Sequence, residues 1–174
     1  MKRACIIFLT AIIIILSAVG IGAREQEHAE YLRIHIRANS NEDCDQAVKY
    51  AVRDEVVAYL TPIVAGCGGL VEAEKLLSKK LDEVTAVAEK SLKGQGFSYG
   101  AEATIRTEKF PTRVYDGYTL EAGEYRALIL TLGEGVGDNW WCVVYPPLCF
   151  TSAKDPIYKS KILEIIKKWQ AGTS

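Results

Sequence analysis

The sequence predicts an α+β fold: an antiparallel β-sheet with a two-helix layer packed on it, plus a C-terminal helix. Three observations carry this. Residues 31–38 alternate strictly between apolar and polar, residues 43–93 repeat apolar side chains at helical spacing, and residues 99–145 fall into short alternating runs separated by turn residues. Ahead of them, residues 1–23 place Lys2 and Arg3 before an apolar run that ends in small residues. That is the layout of a secretory signal peptide or, left uncleaved, of an N-terminal membrane anchor. Residues 24–174 are then expected to fold as a single globular domain outside the cytoplasmic membrane.

The first strand carries Leu32, Ile34, Ile36 and Ala38 on one side and Tyr31, Arg33, His35 and Arg37 on the other, so one face is expected to be wet. Asn39-Ser40-Asn41 stops it, and Ser40 with Asp43 three residues on predicts a helix N-cap. Val48, Val52, Val56, Tyr59, Leu60 and Ile63 mark a helix over 43–64, with Pro62 expected to kink or end it. Gly66, Cys67, Gly68 and Gly69 make a break. Leu76, Leu77, Leu81, Val84, Val87, Ala88 and Leu92 then predict one helix over about 70–93.

A strand is expected over 99–108. Asp116-Gly117 suits the two-residue type I′ turn of a hairpin over 114–119, and Ala122-Gly123 turns the chain again. Residues 125–132 are apolar on both faces in the middle, as in a central strand. Trp140 begins a strand that runs to Tyr145 and stops at Pro146-Pro147. Asp155-Pro156 starts a closing helix over about 156–170. Its stripe of Tyr158, Ile162, Ile165, Ile166 and Trp169 is expected to dock on the domain in preference to binding membrane, although residues 154–174 hold five lysines.

Removing Lys2 and Arg3 from the 21 basic residues leaves 19 against 22 acidic ones, a net charge of −3. So mildly acidic a chain offers no electrostatic footprint for nucleic acid. Of the five cysteines, Cys5 lies in the export segment, leaving Cys44, Cys67, Cys142 and Cys149 to an oxidising environment. No CxxC or matching histidine spacing points to zinc. Cys44 and Cys67 flank the first helix, whose length of ~30 Å exceeds the roughly 7 Å that a disulfide can span. Cys142 and Cys149 are expected to pair, because the intervening residues around Pro146-Pro147 can turn the chain back. The alternative is two small buried thiols.

Gly133-Glu134-Gly135-Val136-Gly137 lacks a Gly-Lys-Ser/Thr ending and leads into a strand, so it is expected to be a mobile hairpin loop and not a phosphate site. A thiol hydrolase would need Cys142 or Cys149 beside His28 or His35, with no third orienting group at any recognisable spacing. The sequence thus shows no catalytic constellation, and no cofactor or metal is expected. The densest unusual stretch is residues 137–150, where Trp140 and Trp141 must point to opposite faces of a strand. Either both are packed, or one anchors a partner protein, where Trp and Tyr are over-represented.

Three blocks carry a resemblance. They are Ile36-Arg37-Ala38-Asn39-Ser40 with Asp45-Gln46 and Val52-Arg53-Asp54; Phe110-Pro111-Thr112 through Tyr115 with Ala122-Gly123-Glu124-Tyr125 and Ala127-Leu128; and Asn139-Trp140-Trp141-Cys142-Val143 with Pro146-Pro147-Leu148-Cys149-Phe150. Spanning about 36–150, they make the chain resemble the stage II sporulation protein R family of endospore-forming bacteria. Cys44 and Cys67 lie outside the blocks. The resemblance implies a protein exported across the forespore membrane into the intermembrane space. There it would activate a membrane-embedded aspartic protease of the mother cell, which matures the precursor of sigma-E. It implies a signal and not an enzyme, with no nucleic-acid partner and membrane contact only through the N-terminal segment. A different class of function, an envelope domain holding cell-wall glycan through aromatic rings, is the alternative.

Loops held on a rigid sheet are the usual place for recognition residues. The receptor contact is therefore expected at Asp138, Asn139, Trp140 and Trp141, with Tyr115 and Tyr118 of the Asp-Gly hairpin alongside.

Overall fold

A computed structural model describes residues 30–115, 118–151 and 155–172. The signal-peptide expectation for residues 1–23, His28 and the Asp116-Gly117 turn lie outside the described residues. All elements below belong to the unit Tyr31–Ser174. In chain order they are β1 (Leu32–Arg37), α1 (Asp43–Ala65), α2 (Leu70–Ser78), α3 (Leu81–Gly94), β2 (Ala101–Phe110), β3 (Arg113–Tyr115), β4 (Tyr118–Leu120), β5 (Gly123–Leu132), β6 (Asn139–Tyr145), a short 3₁₀ turn (Leu148–Phe150) and α4 (Pro156–Gly172). The class is α+β, with the helix at the C-terminal end.

The main sheet has the order β2-β5-β1-β6, while β3 and β4 form a separate two-stranded ribbon. β1 pairs in parallel with β5 and antiparallel with β6, and β2 pairs antiparallel with β5. The sheet is therefore mixed, and the second half of the chain is not a simple meander: β1 inserts between β5 and β6. A parallel neighbour needs a long crossover, and everything from α1 to β4 serves as one.

That central position overturns the expectation of a wet face on β1. Arg33 and His35 are 0% and 1% exposed, as buried as Leu32, Ile34 and Ile36 on the other side. Alternation reports which side is apolar; it cannot report that long aromatic side chains from neighbouring strands roof over the polar side. Here Phe110, Tyr125, Ala127 and Ile129 form a second small core on that face, with Tyr31 and Trp141 against it. The main core lies on the opposite face, where Ile34, Ile36, Leu128, Leu130 and Cys142 meet Val48, Val52, Val56 and Leu60 of α1.

The helices depart from expectation in two places. The expected helix over 70–93 is broken at Lys79-Lys80, whose N–H groups close on Leu76 O (3.2 Å) and Leu77 O (2.9 Å). Buried Leu77 and Val84 lie seven residues apart, close to two turns, so the apolar phase runs through the break and periodicity does not reveal it. Pro62 neither stops nor shortens α1. The helix reaches Ala65 before Gly66 N–H returns to Ile63 O at 3.1 Å. α4 docks as expected, burying Ile162 and Ile166 and setting Trp169 against Tyr31 and Tyr118. Among the described residues no helix is long and apolar enough to cross a membrane.

Candidate functional site

The corner around residues 133–141 is built on the turn that ends β1. Asn39 Oδ1 accepts the Glu134 N–H (2.9 Å), Asn39 O accepts the Val136 N–H (3.3 Å) and Ala38 O accepts the Gly137 N–H (3.0 Å). Asn41 Oδ1 accepts the Asp138 N–H at 2.6 Å. The loop from Gly133 to Gly137 is thus bonded along the turn after β1, and the expectation of a hairpin loop is corrected, because β1 lies between β5 and β6. The glycines serve close approach: a Cβ on Gly137 would lie 2.1 Å from Ser40 O.

The same turn is fixed from beneath by Asp45. Its carboxylate, 4% exposed, accepts Asn39 Nδ2 (2.7 Å), Ser40 Oγ (2.6 Å) and the Tyr99 hydroxyl (2.6 Å). Burial pushes the Asp45 pKa up, but the hydrogen bonds from Ser40, Tyr99 and Asn39 outweigh it and hold the carboxyl below its usual value. Ser40 is therefore not the N-cap of α1. That position is Glu42, which makes no side-chain capping bond, and Ser40 Oγ instead accepts the Glu42 N–H at 3.1 Å.

Lys49, 1% exposed, supports the corner from α1, donating to Asp138 O (3.0 Å) and Gln46 Oε1 (2.7 Å). Burial lowers its pKa; nearby Asp138 opposes that and Arg53 adds to it. The Arg53 guanidinium stacks 4.9 Å from the Tyr50 ring centre and 5.6 Å from that of Trp140. Asp138 and Asn139 are exposed, and Trp140 and Trp141 are half-buried.

The two tryptophans do point to opposite faces. Trp140 lies opposite Ile36 and packs against the main core, whereas Trp141 lies opposite His35 and packs on the second core. The Trp141 and His35 rings are stacked at 3.7 Å with 20° between planes, and Phe110 meets Trp141 edge-on. His35 Nδ1 is 3.1 Å from Glu108 Oε1, which also pairs with Arg37. Burial lowers the His35 pKa, against the pull of Asn139 and Glu108. With one Trp141 face spent on His35 and Arg53 against Trp140, the two rings form no joint stacking platform.

Of the hairpin residues, Tyr115 reaches the corner, its hydroxyl donating to Trp141 O at 3.2 Å. Tyr118 instead meets Trp169 of α4, with ring centres 5.0 Å apart. Cys142 and Cys149 are joined in a disulfide with Cα atoms 6.3 Å apart, while Cys44 is free and exposed and Cys67 free and buried. Neither disulfide-bonded sulfur is available as a thiol nucleophile. Sequence reasoning missed Lys49, Arg53, Asp45 and Glu108 as parts of this corner. Lys49 and Arg53 join it through the placement of β6 beside β1, Glu108 through the order β2-β5-β1, and Asp45 through the turn after β1; none of these is encoded by a periodic pattern.

A family model described as stage II sporulation protein R matches residues 28–155. The match takes in every residue of the corner and the disulfide, and ends before α4. Stage II sporulation protein R of Bacillus subtilis (strain 168) is 35% identical over 162 residues, which cover 86% of this chain and 72% of the relative. No solved structure matches.

Proposed function

The chain belongs to the stage II sporulation protein R family and has a role in sporulation; from that premise we propose that it is an exported signal, not an enzyme, which switches on a membrane-embedded aspartic protease in the mother cell. That protease matures the precursor of sigma-E. The protein acts by contact, from the space between the forespore and mother-cell membranes, and the corner at Asp138, Asn139, Trp140 and Trp141 is the surface that is read. The observation carrying the reading is the construction of that corner. Two exposed polar residues and two half-buried tryptophans sit where a loop pinned from three sides enters β6, and the family match covers all of it. A pre-ordered aromatic contact loses little freedom on binding.

The test is a deletion strain supplied with the protein either with or without its export segment, read by processing of the sigma-factor precursor. Processing restored by the exported form alone supports the reading. Processing that survives deletion, or that the form lacking residues 1–23 restores equally well, removes it.

A further inference from the structure

β2 is one of the two outer strands of the sheet, opposite β6, and pairs with β5 without interruption over ten residues. Its hydrogen-bonding phase follows from one bond: Gly133 N–H donates to Gly100 O at 2.9 Å. Alternation along an antiparallel pair then turns the backbone groups of Glu102, Thr104, Arg106 and Glu108 toward β5, and those of Ala101, Ala103, Ile105, Thr107 and Lys109 outward. The Ala103 N–H agrees, donating away from the sheet to Thr85 Oγ1 of α3 at 3.2 Å. Beyond that point, among the described residues, nothing bonds the outward groups of Ile105, Thr107 or Lys109. Pro111, with no N–H, ends the strand. The strand has no bulge and no proline within it, and of the usual devices that close an edge to pairing it carries only charged side chains, Glu102, Arg106, Glu108 and Lys109.

We propose that this edge joins two copies of the chain, β2 running antiparallel to β2 of the second copy about a two-fold axis at Thr107. Two independent observations select that axis. The open stretch, bounded by α3 at Ala103 and by Pro111, is residues 104–110, and its midpoint is Thr107. The charges agree: this register sets Arg106 opposite Glu108 of the second copy, and Glu108 opposite its Arg106. An axis at Arg106 would oppose Arg106 to itself, and one at Ile105 would oppose Glu102 to Glu108. The Arg106 side chain is 53% exposed, and its 3.5 Å pair with its own Glu108 is long enough to be exchanged for the Glu108 of the second copy. On the other face Thr107 meets Thr107, a favourable cross-strand pair, and the Lys109 stem lies along Ile105. The contact is isologous and closed.

The test uses the full chain with Cys44→Ser to remove the exposed thiol. A hydrogen-bonded antiparallel pair holds its Cα atoms about 5.5 Å apart, within reach of a disulfide. Thr107→Cys is expected to cross-link to itself under mild oxidant on a non-reducing gel, and Glu102→Cys, on the shielded end of the same strand, is not. Arg106→Glu should reduce the Thr107→Cys cross-link about tenfold, since it replaces both opposite-charge pairs with like charges. Thr107→Pro keeps the β5 ladder, because that N–H points outward, and should leave a monomer by light scattering. A wild-type monomer at high concentration, equal cross-linking at 102 and 107, or a dimer indifferent to Arg106→Glu overturns the proposal.

Discussion

The Arg33 guanidinium donates to the Tyr115 hydroxyl at 2.9 Å, and that hydroxyl in turn donates to Trp141 O at 3.2 Å. Arg33 Nε reaches Cys142 O at 3.0 Å, and its guanidinium lies 4.4 Å from the Phe110 ring centre and 4.8 Å from that of Tyr125. One fully buried cation thus fastens the β3–β4 hairpin to β6. Burial lowers the Arg33 pKa against the pull of Tyr115 and Tyr125, so the aromatic faces and the hydrogen bonds offset only part of its desolvation. Tyr115→Phe should cost about 2 kcal/mol by urea unfolding, since it strands a buried charged donor.

The corner separates contact from support. Asp138→Ala removes an exposed side chain and should leave stability within about 0.5 kcal/mol of wild type, whereas Asn139→Ala also removes a hydrogen bond to buried His35 and should cost about 1 kcal/mol. Trp141→Ala uncovers His35 and should cost about 3 kcal/mol or more. Trp140→Ala should weaken receptor contact about thirtyfold if it is an anchor. Folding and precursor processing are measured separately; normal processing in every folded variant would show that the partner docks elsewhere.

Gly137→Ala places a methyl 2.1 Å from Ser40 O and 2.4 Å from Ser40 C, both backbone atoms that cannot swing aside. The expected cost is about 3 kcal/mol, well above the ~1 kcal/mol for Ser40→Ala, which removes a hydrogen bond to Asp45 and one accepted from the exposed Glu42 N–H. Thermal melts of the two variants give the order.

His35 makes stability depend on pH. Its folded pKa lies below the ordinary value of about 6.5, so the unfolded chain takes up a proton that the folded one refuses. Stability from this group is full above about pH 6.5 and is lost as pH falls from there toward the folded pKa. The groups facing the imidazole are Glu108, Arg37, Asn139 and the Trp141 and Phe110 rings. His35→Gln should flatten the fall in unfolding free energy between pH 7 and pH 5.5. Asp45 acts in the same direction but lower, its contribution vanishing as pH drops through its depressed pKa. An unchanged slope in the variant would assign the pH dependence to other groups.

The Cys142–Cys149 disulfide closes a loop with a sequence separation of 7. Replacing both cysteines by serine should cost about 2.5 kcal/mol, the loop-closure value for so short a ring. Equal midpoints under reducing and oxidising conditions would contradict it.

Much of the fold was legible from local pattern. The alternation of Leu32, Ile34 and Ile36, the four-residue spacing of Val48, Val52 and Val56, and the stripe of Ile162 and Ile166 each report which side faces a core, and each side is buried. What escaped depends on residues far apart in the chain. Nothing near Arg33 announces Phe110 and Tyr125, and nothing near Gly137 announces Ser40. The disulfide was readable because two prolines turn the chain between its ends. The supports of the corner were not, because Lys49 and Asp45 sit in α1 like ordinary polar helix residues; only the register of β1 with β6 carries Asp138 to Lys49, while Asp45 bonds Asn39 and Ser40 across the irregular turn, where no periodic pattern applies.

The placement of β1 at the centre of the sheet has a temporal consequence. Ile34 lies opposite Leu128 on one side and Cys142 on the other, both contributed from near the far end of the chain. A polypeptide emerging N-terminus first from a ribosome or a translocation pore presents this strand long before either neighbour exists. The helices can coil early, but the sheet cannot assemble until residues beyond 140 have arrived, and such distant pairings are slow to form. The sheet therefore cannot close until most of the chain has been made. The latch of Arg33 on Tyr115 and Cys142 joins residues of β1, β3 and β6, so it cannot form before residue 142 exists.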